Sequence, residues 1–289
     1  MTLFDQLVTQ ALQNQPQLST LRNVVEKELL HHDILRILRD HKLTSHLTFM
    51  GGTCLRCCYG GVRLSEDLDF TGGQNFSRET LSSMGEFLTA NLHDKYGLAV
   101  TVTEPKRVEG NVDTWKLKIE TRPENTFMPA QRIHIDICAL PSYEKRPLML
   151  RNPYGVEMGT SGLILQAQSR EEIYADKLIA YALRPNRLKY RDLWDISWLH
   201  SQGVIPNLLL IPLKLKDRHI PLEDFVTCFT ERMELLKTTP SMASEFLVEM
   251  KRFLPGEQIK AILEQEHLWG FILGLMEEWG VQIRHTCDA

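Results

Sequence analysis

Nothing in this chain of 289 residues is apolar for long enough to cross a bilayer, since no run approaches the roughly 20 residues a membrane helix needs. Its first residues, MTLFDQLVTQALQNQPQ, have neither the basic start nor the long apolar stretch of a secretory leader, and none is expected. There is no excess of positive charge. Lys and Arg number 33 against 37 Asp and Glu, a net charge of −4, which excludes a globally basic nucleic-acid binder and leaves any such contact to a local patch. Metal-binding cysteine patterns are also missing. Six cysteines are present, and Cys54, Cys57 and Cys58 form C-x-x-C-C, but no second Cys/His pair stands at zinc-finger spacing. Buried, reduced thiols in a cytoplasmic protein are the expectation. Internal repeats and low-complexity tracts are absent too. The length suits one large domain or two modest ones.

Against that plain background, Gly51 to Phe70 stands out: GGTCLRCCYGGVRLSEDLDF. A short apolar strand, LTFM, runs into Gly51-Gly52, and two carboxylates, Asp67 and Asp69, follow in the run DLDF. On a strand, side chains two apart share a face, so the two acids project together while Leu68 and Phe70 turn to a core. Paired carboxylates repel unless a cation lies between them, and Mg²⁺ takes oxygen ligands. The Gly51-Gly52-Thr53 backbone offers N–H groups that phosphate can approach, because glycine has no side chain in the way. A glycine pair or a D-x-D alone reads as a turn or a solvated strand edge. In this order and with apolar flanks they point to chemistry on a nucleotide. Arg63 and Ser65, just before the acids, are suited equally to phosphate contact and to bracing the loop.

The remaining pattern places these motifs. Leu18 to Leu43 has helical periodicity. Thr53 is expected to cap a helix from Cys54 to Tyr59, which Gly60-Gly61 ends. Ser77 to Tyr96 reads as a helix, and AVTVT, VDTWKLKIE and IHIDIC read as strands. In IHIDIC a third carboxylate, Asp136, shares a face with His134, opposite three isoleucines. A charge beside a core is costly unless paired, which a shared metal site with Asp67 and Asp69 would explain; a hydrogen bond to backbone or a pair with Arg132 would also serve. Pro141 to Gly162 reads as irregular. From Glu171 the pattern is helical, with helices expected at Glu171–Leu183, Arg191–Ser201, Leu222–Lys237, Met242–Phe253 and Glu257–Gly280. The chain divides on this reading into residues 1–160, mixed α and β, and 161–289, helical, the boundary falling between Pro141 and Ser169. In the second part Lys177 lies on an apolar helix face and needs an anion, either a carboxylate or a triphosphate. Asp192 sits in the first turn of the next helix. Between them Arg184, Arg187, Lys189 and Arg191 read as solvated charges at a helix end, or more sharply as an RNA contact.

The run GGTCLRCCYGGVRLSEDLDF resembles the first motif of the AbiEii-type nucleotidyltransferases, the toxin components of type IV toxin–antitoxin and abortive-infection systems. RIHIDIC is similar to that family's third-carboxylate strand, EEIYADKLIAYALRPNRLKYRDLWDI to its C-terminal motif, and EKELLHHDILRIL to its N-terminal helix. The resemblance spans about Val24 to Leu199. Between Gly52 and Asp67 the gap is slightly longer than in the general nucleotidyltransferase pattern, though normal for this subfamily. The resemblance implies an α+β fold of the polymerase β-like kind, a mixed sheet with helices followed by an all-helical C-terminal region. It implies an enzyme that uses an NTP and two Mg²⁺ ions held by Asp67, Asp69 and Asp136, the last as ligand or as acceptor base. Gly52 and Thr53 would hold the triphosphate, beside the Gly51 backbone and the Arg63 and Ser65 side chains that the residue pattern already offers for phosphate contact. Lys177 would neutralise phosphate charge, and Asp192 would be a secondary active-site residue. The acceptor implied is RNA, tRNA foremost, and the partner a separately encoded winged-helix antitoxin in the cytoplasm. A protein or small-molecule acceptor, or a nucleotide-binding module without catalysis, are the alternatives.

Overall fold

Alternation of β-branched or aromatic residues with polar ones forms the strands, and each buried face comes from every second residue. The structure, a computed structural model, describes residues 2–106, 110–122, 129–185 and 187–288. It divides into two units, Met1–Gln168 and Ser169–Ala289.

The first unit opens with α1 (Leu3–Asn14) and α2 (Arg22–Asp40). β1 (Thr48–Met50) then runs directly into α3 (Gly51–Tyr59). β2 (Leu68–Thr71), α4 (Met84–Tyr96), β3 (Ala99–Thr103), β4 (Val112–Glu120), β5 (Gln131–Cys138), β6 (Lys145–Met149) and β7 (Ile164–Gln168) complete it. The strands form one mixed sheet in the order β3-β4-β5-β2-β1-β7-β6. β2 pairs parallel with β5 and antiparallel with β1, and β1 pairs parallel with β7. One sheet face carries Trp115, Leu117, Ile133, Ile135, Leu68 and Phe70, all buried.

Two features of this unit depart from the pattern reading. The segment expected to be irregular holds β6, an edge strand containing Pro147, and β7 follows it; an edge tolerates proline because one of its sides needs no ladder hydrogen bond. Residues after Ser77 form a 3₁₀ turn at Arg78–Leu81, and the helix proper begins at Met84.

Helix α2 is buried along most of its length, yet carries Glu26, Glu28, His31, His32 and Asp33 inside. Asp33 accepts from Tyr96 Oη at 2.6 Å and Lys95 Nζ at 2.7 Å, and Glu26 accepts from Gln131 Nε2 at 2.8 Å. His31 Nε2 lies 3.0 Å from the carbonyl of Glu66. A carbonyl only accepts, so the proton is on Nε2, and Nδ1 is buried without a partner among the described residues. Burial pushes the imidazole of His31 down to about 3 and that of His32 down to about 4.

The second unit is helical: α5 (Arg170–Leu183), α6 (Tyr190–Ser201), α7 (Leu210–Asp217), α8 (Leu222–Thr238), α9 (Ser241–Met250), the short α10 (Gly256–Gln258) and α11 (Leu268–Asp288). Its aromatic core includes Tyr181 against Phe229, and Tyr174 against Trp279, whose indole donates to Tyr174 Oη at 2.8 Å. α7 was not expected, because Pro206 and Pro212 punctuate its sequence. Pro212 falls in the first turn, where no backbone donor is needed. α7 is tied to α5 by buried Lys214, which donates to Glu172 at 2.7 Å and Asp176 at 2.9 Å. The helix expected over Glu257–Gly280 is broken by a π turn at Ile259–Leu263. No helix among the described residues is long and apolar enough to cross a membrane.

The two buried neutral histidines predict an acid-sensitive fold. Their folded pKa values lie below the unfolded value of 6.5, so between pH 6.5 and about 4 the unfolded chain binds more protons and stability falls with pH. Urea unfolding at pH 7 and pH 5 should show a loss on the order of 2 kcal/mol per histidine. The loss should shrink when His32 is replaced by Gln.

Candidate active site

The site is built where β1 turns into α3. Met50 is the register partner of Asp69, so Gly51 leaves the sheet beside that carboxylate. Gly51 has φ +75°, a region that favours glycine, and a Cβ there would stand 2.5 Å from Asp69 Oδ2. Both facts require glycine. The first turn of α3 directs unpaired N–H groups outward, the arrangement that receives phosphate at a helix start.

Thr53 does not cap this helix as the sequence pattern predicts. The helix starts earlier, at Gly51, and Met50 occupies the cap position without a side-chain bond. Thr53 is fully buried. Its hydroxyl lies 2.8 Å from Ser65 Oγ and donates to the carbonyl of Asp67. Thr53 therefore fastens α3 to the loop that delivers the carboxylates. Arg63 is also buried; its Nη1 donates to the carbonyl of Leu64 at 2.9 Å, and its Nη2 packs on Gly52, where a Cβ would collide with it.

A residue the sequence reading missed organises this loop. Glu28 of α2 is buried. It accepts from Ser65 N–H at 2.9 Å, from Arg56 Nε at 3.0 Å and from the hydroxyl of Tyr154. The Glu28 charge keeps the guanidinium of Arg56 protonated despite a burial that opposes it, and burial beside that same charge pushes the Tyr154 phenol up. On either side of Glu28, Lys27 donates to Glu66 at 2.8 Å and His31 to the Glu66 carbonyl. One face of α2 thus grips residues 65 and 66, next to Asp67. The available signal was an acid set among the apolar positions Val25, Leu29 and Leu35 of that helix.

The carboxylates follow. Asp69 on β2 and Asp136 on β5 are direct register partners, on neighbouring strands about 4.8 Å apart. Asp136 accepts from Thr114 Oγ1 at 2.6 Å, across its other strand pair. Asp67 lies one residue before β2; its Oδ1 accepts from the backbone N–H of His134 at 3.1 Å and stands 3.5 Å from the ring Nδ1. The three sequence-predicted acids are therefore brought to one region. Among the described residues no group of three acid, histidine or cysteine side chains already converges as a metal centre. The donor set nevertheless fits a hard divalent cation, because it is carboxylate oxygen throughout and Asp69 and Asp136 share one register position. Cys54 and Cys57 nearby on α3 are free, buried thiols pushed up by that burial, the opposite of a reactive thiolate.

Lys177 and Asp192 belong to the second unit and meet there. Lys177 Nζ lies 2.8 Å from Asp192 Oδ1 and 2.8 Å from Asp195 Oδ2. Arg184 donates to Asp192 Oδ2 through Nη2 at 2.8 Å and Nε at 3.2 Å. Burial alone would raise the Asp192 carboxyl, but Lys177 and Arg184 overcome it and hold it at about 2. The anionic partner that Lys177 needs is thus a pair of carboxylates. Asp195 was missed, although it stands three residues after Asp192 on the same helix face. Arg191 pairs with Glu249 at 3.6 Å and lies over the ring of Phe253.

A strand, a glycine turn, a helix start and carboxylates registered on the two neighbouring strands define a nucleotidyltransferase of the polymerase β-like class. The sequence profile of the nucleotidyl transferase AbiEii toxin family, described as a Type IV TA system, matches residues 33–267. The chain belongs to that family and is a toxin-class nucleotidyltransferase. Among solved structures it is similar to MenT4, a nucleotidyltransferase toxin of Mycobacterium tuberculosis H37Rv, with TM-score 0.52 and 18% identity over 96% of this chain and 87% of that one. It is also similar to JHP933 from Helicobacter pylori, with TM-score 0.48 and 19% identity over 92% of this chain and 96% of that one. No curated protein sequence matches it.

The Glu28 network generates a test. Glu28→Ala leaves the Arg56 guanidinium buried and unpaired and removes the acceptor from Ser65 N–H. Breaking a buried pair in this way costs about 3–5 kcal/mol. Chemical denaturation at neutral pH should show that loss, and Arg56→Met in the same chain should recover part of it.

Proposed function

We propose that this protein is a Mg²⁺-dependent transferase that moves a nucleotide from an NTP to an RNA acceptor, tRNA foremost, as the toxin of a type IV toxin–antitoxin system. The observation that carries the reading is the registered pair Asp69 and Asp136 beside the glycine-started helix α3. Two Mg²⁺ ions held by Asp67, Asp69 and Asp136 would supply positive charge to the entering and leaving oxygens. The triphosphate would lie against the N–H groups at the start of α3; the absent side chains of Gly51 and Gly52 make room for Asp69 and Arg63, and Thr53 and Ser65 brace that surface from behind. The acceptor hydroxyl forms a new O–P bond at the α-phosphorus, the bond to pyrophosphate breaks, and Asp136 takes the hydroxyl proton. The protein's part is otherwise positioning and charge. On the family pattern, Lys177 neutralises phosphate charge and Asp192 supports it, with Asp195 as its second carboxylate. A winged-helix antitoxin encoded separately and a cytoplasmic setting complete the proposal.

The experiment incubates purified protein with Mg²⁺, total tRNA and each α-labelled NTP in turn, beside Asp69→Ala. Label should appear on RNA with the wild type and fall about 10²–10³-fold in the variant, on the order seen for loss of a principal charge-stabilising group, and growth inhibition in cells should fall with it. Label on protein instead of RNA would replace the acceptor. Bound NTP without any transfer would leave only a nucleotide-binding module.

A further inference from the structure

The strands β2, β5, β4 and β3 lie side by side, and the side chains turned away from the buried face line up in rows across them. The first row is Asp69, Asp136 and Thr114. The second is His134, Lys116 and Thr103, with Asp67 bonded to the backbone of His134. The third is Arg132, Lys118 and Thr101. Successive rows are about 7 Å apart, the length of two strand residues. Moving along the sheet, the charge changes from carboxylates to cations within one step.

These cations are not explained by folding. Lys116 and Arg132 are exposed, and neither has an ion pair among the described residues. Lys118 is held by Glu120 at 3.0 Å. Lys118 and Arg132 are direct cross-strand partners, and like charges in that position are destabilising. Lysine guards against edge pairing on an outer strand, but β4 and β5 are interior strands of the sheet. A chain with net charge −4 has acids in plenty, and here it places cations opposite one another. A polyanion lying across the rows would relieve that repulsion. Beside them Thr103, Thr114 and Lys116 line a groove of about 680 Å³ whose one acid among the described residues is Glu104. Trp115 of β4 points to the buried side, so this strand offers cations and hydroxyls outward and no aromatic stacking surface.

We propose that this face is the acceptor subsite, where phosphates of a single-stranded RNA 3′ end lie over Lys116, Lys118 and Arg132 and lead the terminal hydroxyl to Asp136. The inference rests on the RNA-acceptor reading above. Recognition through phosphates and hydroxyls makes this subsite indifferent to sequence, so selection among RNAs lies elsewhere.

The test measures binding of a fluorescent single-stranded oligoribonucleotide to the full chain between about 50 and 200 mM salt, the range over which phosphate contacts weaken strongly. The double variant Lys116→Gln/Arg132→Gln should bind roughly tenfold more weakly, with a salt slope shallower by about 1.4, since each single-strand phosphate contact contributes about 0.7. Its binding of Mg²⁺–NTP should match the wild type, which also shows that it is folded. Equal RNA affinity and slope in wild type and variant would overturn the subsite while leaving an RNA acceptor standing. A wild type that does not bind RNA at all would overturn the RNA-acceptor reading, and the subsite with it.

Discussion

The buried carboxylate of Glu28 is the interaction on which the candidate site depends. It sits on α2, receives donors from α3 (Arg56), from the loop before β2 (Ser65) and from the segment after β6 (Tyr154), and so joins parts of the chain more than a hundred residues apart. A buried charge is costly when alone and tolerable only when its lone pairs are filled. That constraint gives the loop one position. With Ser65 fixed to Glu28, and Thr53 bonded to Ser65 and to the carbonyl of Asp67, the start of α3 and the start of β2 are locked in register. Whatever the acids bind, their spacing from the glycine turn is set by a polar network in the interior.

That network also explains why the site tolerates its own unfavourable features. Asp69 and Asp136 face each other across adjacent strands, and Gly51 adopts a backbone conformation closed to most residues. Like charges at this distance oppose folding. Functional sites commonly retain such local costs, and the surroundings hold them in place. The second unit makes the same use of charge in another way: Lys177 lies between Asp192 and Asp195, so its ammonium is oriented by two carboxylates and not left to solvent.

Much of this was legible because the motifs are local. The di-glycine, the D-x-D run and the alternation of IHIDIC each carry their geometry within a few residues, and family resemblance joined them. The register that pairs Asp69 with Asp136 was not legible, since it depends on β5 crossing back to lie beside β2. Glu28 and Thr114 were missed for a similar reason: their importance comes from partners distant in sequence, and each looks ordinary where it stands. Thr53 shows the opposite failure. Its sequence position suggested a cap, but the helix already begins at Gly51, before it, and its hydroxyl binds the loop instead. β6 and α7 were hidden by proline, whose effect depends on whether the position needs a donor, which only the finished fold decides.

On the proposed function, Asp67, Asp69 and Asp136 are held together against their repulsion to receive a divalent cation with the NTP. Thermal unfolding of the wild type and Asp69→Asn, each with and without Mg²⁺ and NTP, separates that role from a purely structural one. Without the ion, removing one charge should raise the unfolding temperature; with Mg²⁺ and NTP the wild type should gain stability by mass action and the variant should not. A variant less stable than the wild type without the ion, or a wild type indifferent to Mg²⁺ and NTP, would contradict it.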